Sequence, residues 1–124
     1  MSNPVPVVIL IADDEASLRF LIHETIAEPG LQILEAQDGL ETLCLARTHH
    51  PKMILLDVAM PALSGVEVCQ QLKADPATRD IQIVMLTAHS QTKDREAAFA
   101  AGADYFITKP FSPTQLFELV DKII

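Results

Sequence analysis

Met53-Ile54-Leu55-Leu56-Asp57 decides how this chain is read: four apolar residues run into a carboxylate, and Val58-Ala59-Met60-Pro61 beyond it cannot continue a regular strand. A strand apolar at every position is buried on both faces, as in a parallel sheet covered by helices. A carboxylate at its end costs free energy unless something pairs with it. Two other strand-like runs end in charge. Val7-Val8-Ile9-Leu10-Ile11 leads to Asp13-Asp14-Glu15, and Tyr105-Phe106-Ile107-Thr108 leads to Lys109-Pro110. If these strands are parallel neighbours, the carboxylates of Asp13, Asp14 and Asp57 converge with one ammonium at a single sheet edge. That is a site for a divalent metal and a phosphoryl group.

The remaining chain alternates the same two patterns. β-rich apolar runs cover about Val5 to Ile11, Leu31 to Glu35, Met53 to Asp57, Ile81 to Thr87 and Tyr105 to Thr108. Between them the spacing predicts helices. Leu18, Leu21, Ile22 and Ile26 share one face of the first, which stops at Pro29-Gly30. Leu40, Leu43 and Cys44 mark the second, which follows Asp38-Gly39 and ends before Pro51. Val66, Cys69 and Leu72 mark the third, between Ser64-Gly65 and Asp75-Pro76. The fourth, Lys93 to Ala101, offers only a thin alanine face with Phe99, and Gly102 stands where a left-handed cap is expected. In the fifth, Ser112, Pro113 and Gln115 form a capping box ahead of Leu116, Leu119, Val120 and Ile123. Five strand–helix units predict an α/β domain: a doubly wound, five-stranded parallel (βα)5 sheet with helices on both faces.

Length and charge narrow the function classes. A chain of 124 residues suits one compact domain with a real core. No run of about 18 apolar residues is present to span a bilayer, and Met1-Ser2-Asn3-Pro4 lacks the basic region of a signal peptide, so no membrane association and a cytoplasmic location are expected. The net charge of −8, with nine scattered basic residues, argues against direct nucleic-acid binding. Cys44 and Cys69 form no Cys-x-x-Cys pair and read as reduced core thiols. His23, on a polar helix position, and His49-His50, in a loop, read as solvated; Met53, Met60 and Met85 read as core filling.

Ligands of open α/β sheets collect outside the carboxyl ends of the strands. Asp13, Asp14, Asp57, Thr87 and Lys109 all fall there. Each alone has a plain reading as helix cap, strand-end residue or loop charge, but three neighbouring carboxylates repel one another without a cation. Mg²⁺, with Mn²⁺ as the alternative, is held by one or two carboxylates plus phosphate oxygens; Asp14 and Asp57 supply those, with Asp13 acting through water. Asp57 is the expected nucleophile toward phosphorus, Lys109 offsets charge on the phosphoryl oxygens, and the Thr87 hydroxyl donates to them.

The ordered set of Asp13-Asp14-Glu15, Leu55-Leu56-Asp57-Val58-Ala59-Met60-Pro61 with Ser64-Gly65, Leu86-Thr87-Ala88, Ala101-Gly102-Ala103-Asp104 and Thr108-Lys109-Pro110-Phe111 resembles the response-regulator receiver domain over essentially the whole chain. The resemblance implies a flavodoxin-like strand order 2-1-3-4-5, the order known for chemotaxis regulators. It implies a single receiver domain over residues 1–124 with no output domain in this stretch. Asp57 is then the acceptor of a phosphoryl group from a sensor histidine kinase or histidine phosphotransfer protein in a two-component phosphorelay. Asp13, Asp14, Asp57 and the backbone carbonyl of Ala59 become the Mg²⁺ ligands. Thr87 and Phe106 become a switch pair acting on the fourth helix, fifth strand and fifth helix, with a cis Lys109-Pro110 bond.

Phe106 stands where the family often has tyrosine, and Tyr105 is expected on the opposite face of the strand. Ala59 and His89 occupy the positions that influence phosphoryl lifetime, and slow to moderate autodephosphorylation is expected. The chain is read as a phosphoacceptor and not as an enzyme. Its downstream partner is a separate target protein or a tethered output domain, and its state a monomer or a phosphorylation-dependent dimer. Two other classes fit less well. A haloacid-dehalogenase-like phosphatase needs a second aspartate where Ala59 stands, and a flavodoxin-like nucleotide or flavin module needs a glycine-rich first loop where this one is acidic. A phosphorylation-independent interaction module is disfavoured because every residue of the phosphorylation set is present.

Overall fold

The computed structural model describes residues 6–88 and 92–124. Strands and helices alternate as β1 (Val7–Ala12), α1 (Ala16–Ile26), β2 (Leu31–Ala36), α2 (Gly39–His49), β3 (Met53–Asp57), α3 (Gly65–Ala74), β4 (Gln82–Thr87), α4 (Thr92–Ala100), β5 (Tyr105–Thr108) and α5 (Pro113–Ile123). The sheet order is β2-β1-β3-β4-β5 and every pairing is parallel. This is the expected doubly wound, flavodoxin-like arrangement. The first strand starts later than expected; Val5 lies outside the described residues, as does His89.

The continuous apolar runs are explained by burial on both faces. Successive side chains of a strand point to opposite sides, so Leu10, Ile54, Leu56, Ile83 and Met85 pack under α2, α3 and α4, while Ile9, Ile11, Met53, Leu55, Val84, Leu86 and Ile107 pack under α1 and α5. Tyr105 and Phe106 divide in the same way between the two cores. Two strand ends are aligned by register, with Asp57 opposite Leu86 and Thr87 opposite Thr108.

Helix faces depart from the expected stripes on α1, α2 and α3. On α1 the buried residues are Ile22 and Ile26, with Leu18 half-buried; Leu21 is 49% exposed. The stripe runs at a strict four-residue spacing, which turns position 21 about a quarter-turn away from the sheet. On α2 the buried residues are Gly39, Thr42, Leu43 and Ala46, and both Leu40 and Cys44 are exposed. Gly39 sets this rotation: a Cβ there would collide with the carbonyl oxygen of Leu63. Thr42 tolerates the interior because its hydroxyl donates to the Asp38 carbonyl at 2.7 Å. Cys44 is therefore a surface thiol, contrary to the core reading. Cys69 is the core thiol, donating to the Ala101 carbonyl at 3.5 Å, and burial pushes its pKa up to about 11. On α3, Val68 joins Cys69 and Leu72 in the interior while Val66 lies at the margin.

Local stop and start signals behave as their chemistry requires. Gly102 has φ +103°, its N–H donates to Phe99 O, and the Ala103 N–H donates to Ala98 O, which together form a Schellman cap after α4. Ser112 Oγ accepts from the Gln115 N–H at 3.0 Å, with Pro113 in the first turn of α5. The alanine-rich α4 is thinly seated: Ala98 is its only buried side chain among the described residues, with Ala101 just beyond it. Below α4, at the beginnings of β4 and β5, the Lys73 ammonium donates to Arg79 O, Ile81 O and Asp104 Oδ2 at 2.7–3.0 Å. Asp104 in turn exchanges hydrogen bonds with the backbone of Ile83.

Candidate phosphoacceptor and metal site

The carboxyl ends of β1, β3, β4 and β5 meet in one place. Asp57, the last residue of β3, is 5% exposed. The Lys109 ammonium, just past β5, stands 3.3 Å from Asp57 Oδ1 and 2.9 Å from Asp13 Oδ2. Asp13 is fully buried, and its Oδ1 accepts the Glu15 N–H at 2.9 Å, so both of its oxygens are engaged. Asp14 is exposed at the rim. One carboxylate oxygen from each of Asp13, Asp14 and Asp57 lies within 4.8 Å of the others. Three carboxylates against one ammonium leave two negative charges, the complement of a divalent cation with oxygen ligands.

Charge and burial act in opposite senses here. Burial raises the Asp57 pKa above its ordinary value, the Asp13 charge raises it further, and Lys109 offsets part of the rise. For Lys109 burial works to lower the pKa, but the hydrogen bond to Asp13 and the charges of Asp57 and Asp13 outweigh it, so the ammonium is held more firmly than usual. Lys109 is thus a fixed positive charge between two acids.

The loops supply the remaining walls. After Asp57 the chain turns, the Val58 N–H donates to Leu86 O, and the Gly65 N–H returns to Val58 O at 2.8 Å. The N–H of the exposed Ala59 points to Asp57 Oδ1 at 3.4 Å. A Cβ on Gly65 would collide with the carbonyl oxygen of Asp57, so only glycine lets α3 begin this close to the strand end. Thr87 is buried at the end of β4, and its carbonyl accepts the Lys109 N–H at 2.6 Å. The Lys109-Pro110 bond is cis. Phe106 is half-buried under α4, its ring 6.3 Å from that of Phe99 and 5.4 Å from the Arg95 guanidinium. Beside Lys109 a groove of about 540 Å³ is walled by Glu15, Leu18, Leu21, Ala88, Pro110 and Phe111.

The sequence singled out Asp13, Asp14, Asp57, Thr87, Phe106 and Lys109, and the fold brings all but Phe106 to the same edge. Phe106 lies one turn of the pleat back along β5, opposite Met85. Sequence reading did not find Arg19, Glu35 or the tight role of Gly65. On α1, Arg19 Nη1 donates to the Asp13 carbonyl at 2.6 Å and its Nε to Glu35 Oε1 at 3.1 Å. His23, read as solvated, has Nδ1 3.4 Å from Glu35 Oε2. No periodicity signal distinguishes these residues from an ordinary exposed face.

A five-stranded 2-1-3-4-5 sheet with this acidic edge defines a receiver, and comparison with known proteins agrees. The response regulator receiver domain model matches residues 9–121, and the chain belongs to that family. It is 42% identical over 108 residues to the probable transcriptional regulator ycf27 of Porphyridium aerugineum, covering 87% of this chain and 44% of that protein. It is 39% identical over 116 residues to the alkaline phosphatase synthesis transcriptional regulatory protein PhoP of Bacillus subtilis, covering 94% of this chain and 48% of that protein. The chain thus spans less than half the length of these relatives. Among solved structures it is similar to the chemotaxis response regulator CheY4 of Vibrio cholerae, with a TM-score of 0.88, 27% identity, and coverage of 96% and 99% of the two chains.

Proposed function

We propose that this receiver is a phosphoacceptor of a two-component phosphorelay, in which Asp57 takes a phosphoryl group from a phosphohistidine on a sensor histidine kinase or a histidine phosphotransfer protein. The observation that carries this reading is the Asp57 carboxylate itself: nearly buried at a strand end, 3.3 Å from the Lys109 ammonium and within 4.8 Å of Asp13 and Asp14. In the transfer an Asp57 oxygen bonds to phosphorus as the donor's P–N bond breaks, and the departing imidazole takes a proton from solvent. Lys109 offsets the charge of the transferred oxygens, and the Thr87 hydroxyl donates a hydrogen bond to one of them.

Asp13, Asp14, Asp57 and the Ala59 carbonyl are the groups that would hold Mg²⁺, or Mn²⁺ in its place. When bound, the cation screens the phosphoryl oxygens from the surrounding carboxylates. The chain accepts and slowly loses the group without turning over a substrate, so it is a signalling protein and not an enzyme. Thr87 and Phe106 transmit the change to α4, β5 and α5.

The chain acts as one receiver domain over residues 1–124. The names of the curated relatives point to transcriptional control as the output, through a tethered output domain or a separate target, with the receiver itself making no nucleic-acid contact. It works in the cytoplasm, as a monomer or a phosphorylation-dependent dimer; no helix among the described residues is long and apolar enough to cross a membrane. Incubation with acetyl phosphate and Mg²⁺ followed by intact-mass measurement, with Asp57→Ala as control, tests the acceptor. One phosphoryl adduct on wild type and none on the variant is expected; no adduct on wild type overturns the reading.

A further inference from the structure

We infer that Arg19 is a positioning residue for the metal-binding carboxylates: its guanidinium, bridged between the Asp13 carbonyl and Glu35, fixes the Asp13–Asp14 peptide so that Asp14 is presented beside Asp57. The inference rests on the metal-site reading above. The peptide groups of Asp13 are held on both sides. Its N–H donates to Ala36 O on β2 at 3.1 Å, and its carbonyl accepts Arg19 Nη1 at 2.6 Å. Because a peptide unit is planar, fixing the Asp13 carbonyl also fixes the N–H and Cα of Asp14. Asp14 is the exposed member of the acidic trio, so its place in the cluster depends on the backbone beneath it.

The other end of the bridge is anchored in the sheet. Glu35 lies on β2 opposite Ile11, one residue before the Ala36 that binds Asp13, and its Oε1 accepts Arg19 Nε at 3.1 Å. Its second oxygen faces His23 at 3.4 Å. The Arg19 side chain is 15% exposed, so the bridge is shielded from water at the guanidinium end. A planar fork serves two acceptors at once in a way that a lysine ammonium on a flexible stem does not. Arg19 therefore ties the acidic loop to the edge strand without touching metal or phosphoryl group itself.

Titration with Mn²⁺, followed by the paramagnetic resonance signal of the free ion, tests this on wild type, Arg19→Ala, Arg19→Lys and Glu35→Gln. Phosphorylation rates with acetyl phosphate across a Mg²⁺ series accompany it. Arg19→Ala is expected to weaken Mn²⁺ binding about tenfold, the low end for residues that orient metal ligands. Glu35→Gln weakens it less, and Arg19→Lys restores part of the loss. In variants that are fully folded before metal is added, the phosphorylation rate at saturating Mg²⁺ returns to that of wild type, a split that lost chemistry at Asp57 does not produce. Mn²⁺ affinity in Arg19→Ala within about twofold of wild type, or a rate that stays depressed at saturating Mg²⁺, overturns the inference. If Arg19→Ala fails to fold, unchanged affinity in both Arg19→Lys and Glu35→Gln overturns it. Wild type that binds no Mn²⁺ overturns the metal-site reading itself, a result distinct from equal binding by wild type and variants.

Discussion

Gly65 and the carbonyl oxygen of Asp57 are in such close approach that a Cβ on Gly65 would overlap that oxygen. The first turn of α3 is thereby pressed against the end of β3, and the Gly65 N–H closes the turn on Val58 O. The backbone under the Asp57 carboxylate is set by a buried glycine.

Gly65→Ala is expected to cost about 1–3 kcal/mol of stability, the range for forcing an extra carbon into a packed site. It also slows phosphorylation of Asp57, because the overlap is relieved only by moving the strand end or the helix. Urea denaturation and acetyl phosphate kinetics measure the two effects; wild-type values in both would show that α3 shifts freely.

Asp57→Asn is expected to stabilise the metal-free protein at neutral pH. The folded-state pKa of Asp57 lies above its ordinary value of 3.8, chiefly through burial. The folded chain therefore binds more protons than the unfolded chain in the window just above pH 3.8. Asp57 contributes stability that is complete below that pH and is lost as pH rises through the folded-state pKa. Removing the charge removes that loss, so thermal midpoints of wild type and variant, measured without metal, diverge from acid toward neutral pH. Parallel curves would contradict the sign.

Mg²⁺ is expected to raise the thermal midpoint of wild type. At ten times the dissociation constant, binding to the folded state alone contributes about 1.4 kcal/mol, a shift of a few degrees for a domain of this size. Asp14→Asn removes most of the shift. Calorimetric scans with Mg²⁺ and with EDTA provide the comparison, and an equal shift in the variant would remove Asp14 from the ligand set.

Ala59→Asn is expected to shorten the lifetime of the phosphorylated form, since alanine offers no side-chain group to orient a hydrolytic water next to Asp57. Decay of the phosphoryl adduct after the donor is removed gives the half-life. No acceleration would show that Ala59 does not limit hydrolysis.

The fold was legible because its signals are strong and redundant. Met53-Ile54-Leu55-Leu56 and Ile83-Val84-Met85-Leu86 are apolar on both faces, which only a covered parallel strand requires. The acidic edge was legible for a related reason: charge at the end of such strands is costly, so Asp13, Asp57 and Lys109 stand out. Helix orientation was less so. The α2 stripe is set by Gly39 against Leu63 and admits Thr42, a choice made by a contact between distant residues and not by local hydrophobicity. Arg19 was invisible for the same reason, since what distinguishes it is a carbonyl and a β2 carboxylate that only the folded chain brings near.

The Lys73 ammonium, by gathering Arg79, Ile81 and Asp104, gives β4 and β5 a clamped end at the opposite edge of the sheet from Asp57. Strands clamped at one end behave as cantilevers. Displacement imposed on Thr87 and Lys109 by a bulkier group on Asp57 has to be absorbed at their other, unclamped ends. α4 stands over β5 with Ala98 buried and with Phe99 and Arg95 set against Phe106. A lysine at the opposite end of the sheet from Asp57 thus leaves the carboxyl ends of β4 and β5 the freer ones.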